Sequence, residues 1–262
     1  MDLHLTDKVV FVTGSSSGIG KESARVFAEE GAIVCLNGTN SEKLEAARVD
    51  IMETSGNSRV YTYCFDITDE EAVKENFRKA AEQHGYIDIL VNNAGIGNKD
   101  GKICNMTLTE WKRVFAINVE AQFLCSREVV QYMKRDRQPV ILNCGSVTTE
   151  WPSLGQGCYA SSKAAVKNFT KALCGELASK GIRVAGYIPG MTLSPIWRNN
   201  PERIPTAAKL IPLGRMAEPR EIGTVVAFMA SDQASYVAGT MFIIDGGKLA
   251  VQNPHRWDAD EE

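Results

Sequence analysis

The sequence is short of the groups that build metal centres and disulfide frameworks. Its three histidines, His4, His84 and His255, lie far apart and lack partners at ligand spacing. Seven cysteines, at 35, 64, 104, 125, 144, 158 and 174, are odd in number and include no CxxC pair. That pattern excludes a disulfide scaffold and the usual zinc sites, so no metal is expected. Several of the cysteines sit in apolar runs, where a thiol acts as a small core residue. Cationic excess is also missing: 29 Lys plus Arg stand against 32 Asp plus Glu, a formal net charge of -3. No field attracts nucleic acid or anionic lipid. No apolar run approaches the ~20 residues of a spanning helix. The start, Met1 to Lys8, has no basic region followed by an apolar stretch, so no signal peptide is expected. The expectation is a soluble cytoplasmic protein with no membrane partner. Repeats, low-complexity segments and Pro/Gly/Ser linkers are absent too, which points to one domain over 1–262.

What is present is an alternation. Short β-branched runs at Val9–Thr13, Ile33–Asn37, Val60–Phe65, Ile89–Asn92, Val140–Cys144, Val184–Ile188 and Met241–Ile244 are nearly continuous in apolar character. Strands buried on both faces of a parallel sheet read this way. Between them lie helical patterns. The first shows one face at Ile19, Ser23, Val26, Phe27 and Glu30 and stops at Gly31; others are predicted over 41–54, 69–83, 109–134, 158–180 and 218–230. The fold class that follows is α/β, a doubly wound, Rossmann-like parallel sheet of about seven strands with helices on both faces. Residues 189–212 hold five prolines after a strand, the position of a substrate loop at the C-terminal edge of a parallel sheet. The acidic tail 248–262 is expected to be flexible.

Two local patterns carry chemistry. Thr13-Gly14-Ser15-Ser16-Ser17-Gly18-Ile19-Gly20 joins the first strand to the first helix. Glycines there let the backbone turn tightly and approach a pyrophosphate, with the helix N-terminus facing the anion. The glycines fall at 14, 18 and 20 rather than in a GxGxxG array, and a merely Gly-rich helix start is the plainer alternative. Tyr159 and Lys163 stand four apart at the start of a predicted helix and so share a face. An ammonium beside a phenol favours the phenolate, which suits a group that gives and takes a proton. Ser146, just past the fifth strand, is placed to hydrogen-bond the same substrate oxygen. Alone, such a Tyr–Lys pair is also an ordinary helix-surface pair. Asn118, in an apolar stretch, reads as a buried residue in need of partners.

Taken together, TGSSSGIG at 13–20, Asp66 in CFDIT, NNAG at 92–95, Asn118 in INV, Ser146, YASSK at 159–163 and PG at 189–190 resemble the short-chain dehydrogenase/reductase family, from about residue 5 to 248. The resemblance implies an NAD(P)-dependent oxidoreductase that moves a hydride between nicotinamide and a carbonyl or secondary alcohol. By that likeness Ser146 positions the substrate oxygen, Tyr159 transfers the proton, and Lys163 binds the nicotinamide ribose. Asn118 holds a water linking Lys163 to solvent. Gly14, Ser16, Ser17, Gly18, Ile19 and Gly20 cradle the cofactor. Asp66 and Ile67 meet the adenine, and Asn92, Ala94 and Gly95 line the adenosine ribose side. Ile188, Pro189, Gly190, Thr192 and Ser194 contact the carboxamide. Where many members have PGxxxT, this chain has Ser194. A non-catalytic nucleotide-sensing module on the same fold is the alternative, but a sensor is expected to lose Tyr, Lys or Ser, and all three are here. Extended epimerase or dehydratase relatives are longer, and the compact IDGG at 244–247 argues against them.

Cofactor choice turns on what recognises the ribose 2′ position. The family's cation places hold Ser17 and Thr39, and its carboxylate place holds Gly38. The lack of Arg favours NAD(H) over NADP(H), although Thr39, Asn40 and Lys43 can still meet a phosphate. For the substrate pocket, Thr148, Glu150, Trp151, Leu154, Gln156, Met191, Ile196 and Trp197 are candidates, a set that suits a mostly apolar small molecule. Trp151 and Trp197 serve equally as packing residues. Helices 109–134 and 158–180 carry more apolar residues than one stripe needs, among them Phe123, Leu124, Val129, Val130 and Met133, and Ala165, Val166, Phe169, Leu173 and Leu177. The resemblance implies a homotetramer with two kinds of two-fold interface; packing within one subunit is the alternative.

Overall fold

A computed structural model describes residues 2–99 and 101–251. Chain order is β1 (Val9–Val12), α1 (Gly18–Glu29), β2 (Ile33–Gly38), α2 (Ser41–Ser55), β3 (Val60–Cys64), α3 (Glu70–His84) and β4 (Ile89–Asn92). There follow α4 (Leu108–Phe115), α5 (Ala121–Val129), β5 (Val140–Cys144), α6 (Gly157–Leu177), β6 (Arg183–Pro189), α7 (Pro195–Arg198), α8 (Ile204–Ala208), α9 (Pro219–Ala230) and β7 (Met241–Ile244). The strands form one parallel sheet in the order β3-β2-β1-β4-β5-β6-β7. The order reverses between β1 and β4, and a crevice opens there at the C-terminal strand ends, where ligands of such sheets bind.

The doubly wound, Rossmann-like α/β fold read from the alternation is therefore present. Apolar side chains of β1, β4 and β5 are buried on both faces. One core layer packs Phe27, Leu44, Ile51, Ile222 and Val226 of α1, α2 and α9 against the sheet. The other packs Phe77, Cys125, Val129, Leu173 and Leu177 of α3, α5 and α6. No helix among the described residues is long and apolar enough to cross a membrane, and no group of residues there is arranged to hold a metal ion.

The structure adds detail to four of the sequence readings. The helix predicted over 109–134 runs without a gap from Leu108 to Tyr132, but its type changes along the way. It is α4, a π-helical turn over Ala116–Glu120, α5 and a 3-10 turn over Val130–Tyr132. Asn118 sits inside the π turn and bonds sideways rather than continuing an apolar face. The proline-rich 189–212, read as a substrate-loop position, has elements of its own. It folds into α7, α8 and a small core of its own, in which Ala207, Ile211 and Met216 are covered by Met191, Leu193, Trp197 and Ile204. The apolar surplus of the long helices is also mostly internal: Val129, Val166, Leu173 and Leu177 are buried within the subunit, and Phe123 is the exposed one of this set at 44%. The tail called flexible begins as a turn, in which the N–H groups of Gly247 and Leu249 donate to the Asp245 carboxylate; from 252 onward it lies outside the described residues.

Candidate active site

The glycine turn leaves β1 at Thr13. Thr13 Oγ1 accepts from the N–H of Asn93 (3.0 Å) and Ala94 (3.1 Å), which fastens the turn to the NNAG loop after β4. Gly14 has φ +63°, and a Cβ there would lie 2.8 Å from Ala94 Cα. A Cβ on Gly20 would meet Asn93 Nδ2 at 2.4 Å and the Gly14 carbonyl at 2.5 Å. Both positions are closed to any side chain. Asn37, an Asn inside an otherwise apolar strand, holds the turn from the other side. Its Nδ2 donates to the carbonyls of Tyr63 and Phe65, and its main chain pairs with Ser15. Ser17, the residue before α1, makes no side-chain cap, and the first turn of α1 carries no acidic residue. The positive end of α1 thus faces the crevice with its donors open, as an anionic pyrophosphate requires. Gly38, Thr39 and exposed Asp66 follow at the ends of β2 and β3, with Ile67 buried beside Asp66. Asp66 Oδ1 accepts from Thr68 N–H and Oγ1.

Lys163 is almost fully buried, at 2% exposure. Its Nζ donates to the Cys144 carbonyl at the end of β5 (2.8 Å) and stands 5.9 Å from the centre of the Tyr159 ring. The same ammonium lies against Gly95, where a Cβ would come within 3.1 Å of Nζ. One lysine therefore stands among the end of β5, the NNAG loop after β4 and the α6 tyrosine.

Ser146, two residues beyond Cys144, is held in place by Thr148. Its Oγ accepts from Thr148 N–H (3.2 Å) and from Thr148 Oγ1 (3.0 Å). A hydroxyl has one proton and two lone pairs, so the Thr148 N–H fills one lone pair and, when Thr148 Oγ1 fills the other, the Ser146 proton is left to donate outward. Thr148, a pocket candidate by sequence, is itself buried at 6% exposure and serves Ser146.

Asn118 Oδ1 accepts from Ile96 N–H (2.8 Å), while its Nδ2 donates to the Ile96 carbonyl (2.9 Å) and to Ser162 Oγ (2.9 Å). Ser162 in turn donates to the Tyr159 carbonyl (2.7 Å). Asn98 Oδ1 accepts from Tyr159 N–H (3.4 Å), and its Nδ2 reaches the Gly155 carbonyl (2.9 Å). Glu110 holds the same loop through Lys99 N–H (2.6 Å). The Arg113 guanidinium, with that N–H, keeps the Glu110 carboxyl down at about 2. Asn92 turns inward instead. Its Nδ2 donates to Ser126 Oγ and Asn143 Oδ1, both at 2.9 Å, so only its main chain faces the crevice. Burial pushes the Tyr187 phenol well above its ordinary range, so it stays protonated and donates to Asn93 Oδ1 (3.2 Å).

Past β6, a Cβ on Gly190 would lie 2.6 Å from Asp245 Cα, so the Pro189–Gly190 turn after Ile188 presses on the segment after β7. Thr192 Oγ1 donates to the Gly190 carbonyl, and Ser194 precedes α7. Trp197, partly buried, belongs to the small core under α7 and α8, with the Arg203 guanidinium 5.4 Å over its ring. Trp151 (46%) and Leu154 (104%) are exposed between Ser146 and Tyr159. Gln156 and Glu150 flank them, and Glu150 pairs with Lys167. Ile103, also exposed, lies against Gly157 at the start of α6. The bracing roles of Asn37, Asn98, Ser162 and Thr148 were not found by motif. Their one sequence signal is a polar residue set within an apolar or turn segment.

A family model described as enoyl-(acyl carrier protein) reductase matches residues 14–248. A 3-oxoacyl-(acyl-carrier-protein) reductase of Thermotoga maritima is 38% identical over 247 residues, covering 94% of this chain and 99% of that protein. The levodione reductase of Leifsonia aquatica is 35% identical, covering 94% and 96%. Among solved structures, L-sorbose reductase from Gluconobacter frateurii, complexed with NADPH and L-sorbose, superposes with a TM-score of 0.91 at 30% identity, covering 96% of this chain and 100% of that one.

Proposed function

From a chain that belongs to the short-chain dehydrogenase/reductase family and is an NAD(P)-dependent oxidoreductase, we infer a reaction between a carbonyl and a secondary alcohol with Tyr159 as the acid and base. The observation that carries this reading is the buried Lys163 ammonium, set between the Cys144 carbonyl and the Tyr159 ring. When bound, the nicotinamide supplies or accepts the hydride. In the reducing direction Tyr159 gives its phenolic proton to the substrate oxygen. Ser146, held by Thr148, donates a hydrogen bond to that oxygen and holds it in place. Lys163 keeps two donors beyond the one engaged by Cys144, for the cofactor ribose and for the Tyr159 oxygen. The Asn118 side chain is fully engaged, so its part in proton supply falls to its main-chain carbonyl in the π turn. The cradle for the cofactor is Gly14, Ser16, Ser17, Gly18, Ile19 and Gly20, closed by Ala94 and Gly95. Turnover of NADH and NADPH with a panel of ketones tests the reading. Binding of either cofactor with no turnover on any ketone or secondary alcohol would favour the sensing module, which the named relatives do not support.

The cofactor is proposed to be NAD(H). Ser17 and Thr39 present no charge, Lys21 and Arg25 are paired with Asp50, and Arg48 is paired with Glu45. Exposed Lys43 is the cation left near the start of α2, and its N–H is held by Asn40. KM for NADH is expected to be lower than for NADPH, and initial rates with both cofactors measure it. A KM for NADPH several-fold below that for NADH would overturn the choice.

The substrate is proposed to be mostly apolar around its reacting carbon, since Ile103, Trp151 and Leu154 present apolar surface beside the start of α6. We further propose one domain, a cytoplasmic location and a homotetramer. None of the seven cysteines forms a disulfide, as a reducing compartment requires. Phe123 on α5, and Phe242 and Ile243 on edge strand β7, are 42–48% exposed and offer two separate apolar faces. Light scattering is expected to give about four times 28.7 kDa. A fully active monomer would sink the assembly.

A further inference from the structure

At the opposite edge of the sheet, away from the crevice, lies a second cavity of about 540 Å³. It is walled where β1, β4, β5 and β6 begin, by the segment leading into β1, by the 135–139 turn and by the loop after α9. Its charge is one-sided. Lys8, Arg135 and Arg183 face it, and none of the three makes an ion pair among the described residues. This is unusual within the molecule, where almost every described arginine is matched to a carboxylate; besides Arg135 and Arg183 the exception is Arg203, which lies over Trp197. Of the two carboxylates on the cavity wall, Asp232 is taken by His4 (2.7 Å), which leaves Asp136 against three cations.

Arg183 is the key group. Its guanidinium donates to the Ser231 carbonyl (2.8 Å) and the Val237 carbonyl (3.2 Å). Ser231 ends α9, so the helix terminus accounts for the guanidinium's position. Yet carbonyl dipoles bring only partial negative charge. Burial pushes Arg183 down to about 10, the sign of a cation short of a counter-charge. A guanidinium has five N–H donors, and two are accounted for. The helix terminus also leaves Arg135 and Lys8 unexplained. Lys8 Nζ donates to the Arg137 carbonyl, which holds it at the wall. Two arginines and a lysine converging on one concavity are the chemistry that recognises phosphate, with planar donor forks for its oxygens and a point charge.

We propose that this cavity is a second ligand site, distinct from the cofactor crevice, that binds a small phosphate through Arg183, Arg135 and Lys8. Inorganic phosphate is the first probe. It is titrated into the whole protein saturated with the tighter of NADH and NADPH, so that the glycine cradle is occupied, with NaCl matching the ionic strength. Heat of binding and Tm are followed. The expected result is saturable binding with a rise in Tm beyond the NaCl control. Arg183→Met and Arg135→Met should each raise Kd about tenfold or more, as loss of charge-assisted hydrogen bonds does. Arg48→Met, which removes an arginine already paired with Glu45, should leave Kd unchanged. If Arg183→Met does not fold, Arg135→Met and Lys8→Met carry the test. Tighter binding of glycerol phosphate than of inorganic phosphate would assign the ligand as a monoester, and the reverse as the free ion. No saturable binding above the salt control, or one Kd across all variants, would overturn the proposal.

Discussion

Tyr159→Phe is expected to lower kcat by about 10²–10⁴-fold, the usual cost of losing a general acid, while cofactor affinity stays near native. The substitution removes one oxygen and no packing volume. The tyrosine main chain keeps its bonds from Ser162 and to Asn98, and Lys163 keeps its bond to the Cys144 carbonyl. The helix and the ammonium should therefore remain in place, and only the proton donor is lost. A fall in kcat with unchanged cofactor Kd, measured by initial rates and by fluorescence titration, is the signature. A variant that turns over at near-native rate would remove Tyr159 from the chemistry.

Gly20→Ala is expected to damage binding where Tyr159→Phe does not. The new methyl would lie 2.4 Å from Asn93 Nδ2 and 2.5 Å from the Gly14 carbonyl. Those two atoms are bonded to each other, and Asn93 Nδ2 also donates to the Thr13 carbonyl. The methyl can be accommodated only by parting the glycine turn from the NNAG loop. Overpacking of this kind costs roughly 1–3 kcal/mol, and the displaced turn no longer lets its backbone approach a pyrophosphate. Cofactor Kd should rise by about tenfold or more, since a shift of about 1 Å in a positioning element can cost as much as 10²-fold. Gly175→Ala is the matched control: it lies in α6, has nothing within 4 Å of its would-be Cβ, and should be neutral or slightly stabilising. Native-like cofactor binding by Gly20→Ala would mean that the turn is not the cradle.

β4 and β5 were legible because strands covered on both faces read as apolar runs, and they match the sequence reading residue for residue; β7 matches too, although it is half exposed at the sheet edge. Pairing order was not written in any run, and only the structure gives it. The helix over 109–134 was legible, but the π turn inside it was not, for a physical reason. A π turn admits one extra residue, so the apolar stripe before Ala116 and the one after Glu120 belong to different faces, yet summed over the whole window they look like one long helix with too much apolar surface. Trp197 was ambiguous because an aromatic in a proline-rich segment suits a pocket and a miniature core equally, and here it packs in the core. Thr148 was read as a pocket residue and not as the partner of Ser146. Its service to Ser146 depends on the 3-10 turn over Val147–Thr149, which Ser146 caps and which the apolar pattern does not announce.

The small core beneath α7 and α8 bears on how the region beside the crevice breathes. Residues tied to one shared apolar cluster lose protection together, as a cooperative unit, rather than one by one. In deuterated buffer the amides of Leu193, Trp197, Ala207 and Ile211 should therefore exchange with a common opening free energy, well below that of β1 and β5. Substrate entry would then be timed by a single opening event of that block, and one change inside the cluster, such as Met216→Ala, would retune the rate of that event without touching any group that faces the reacting atoms.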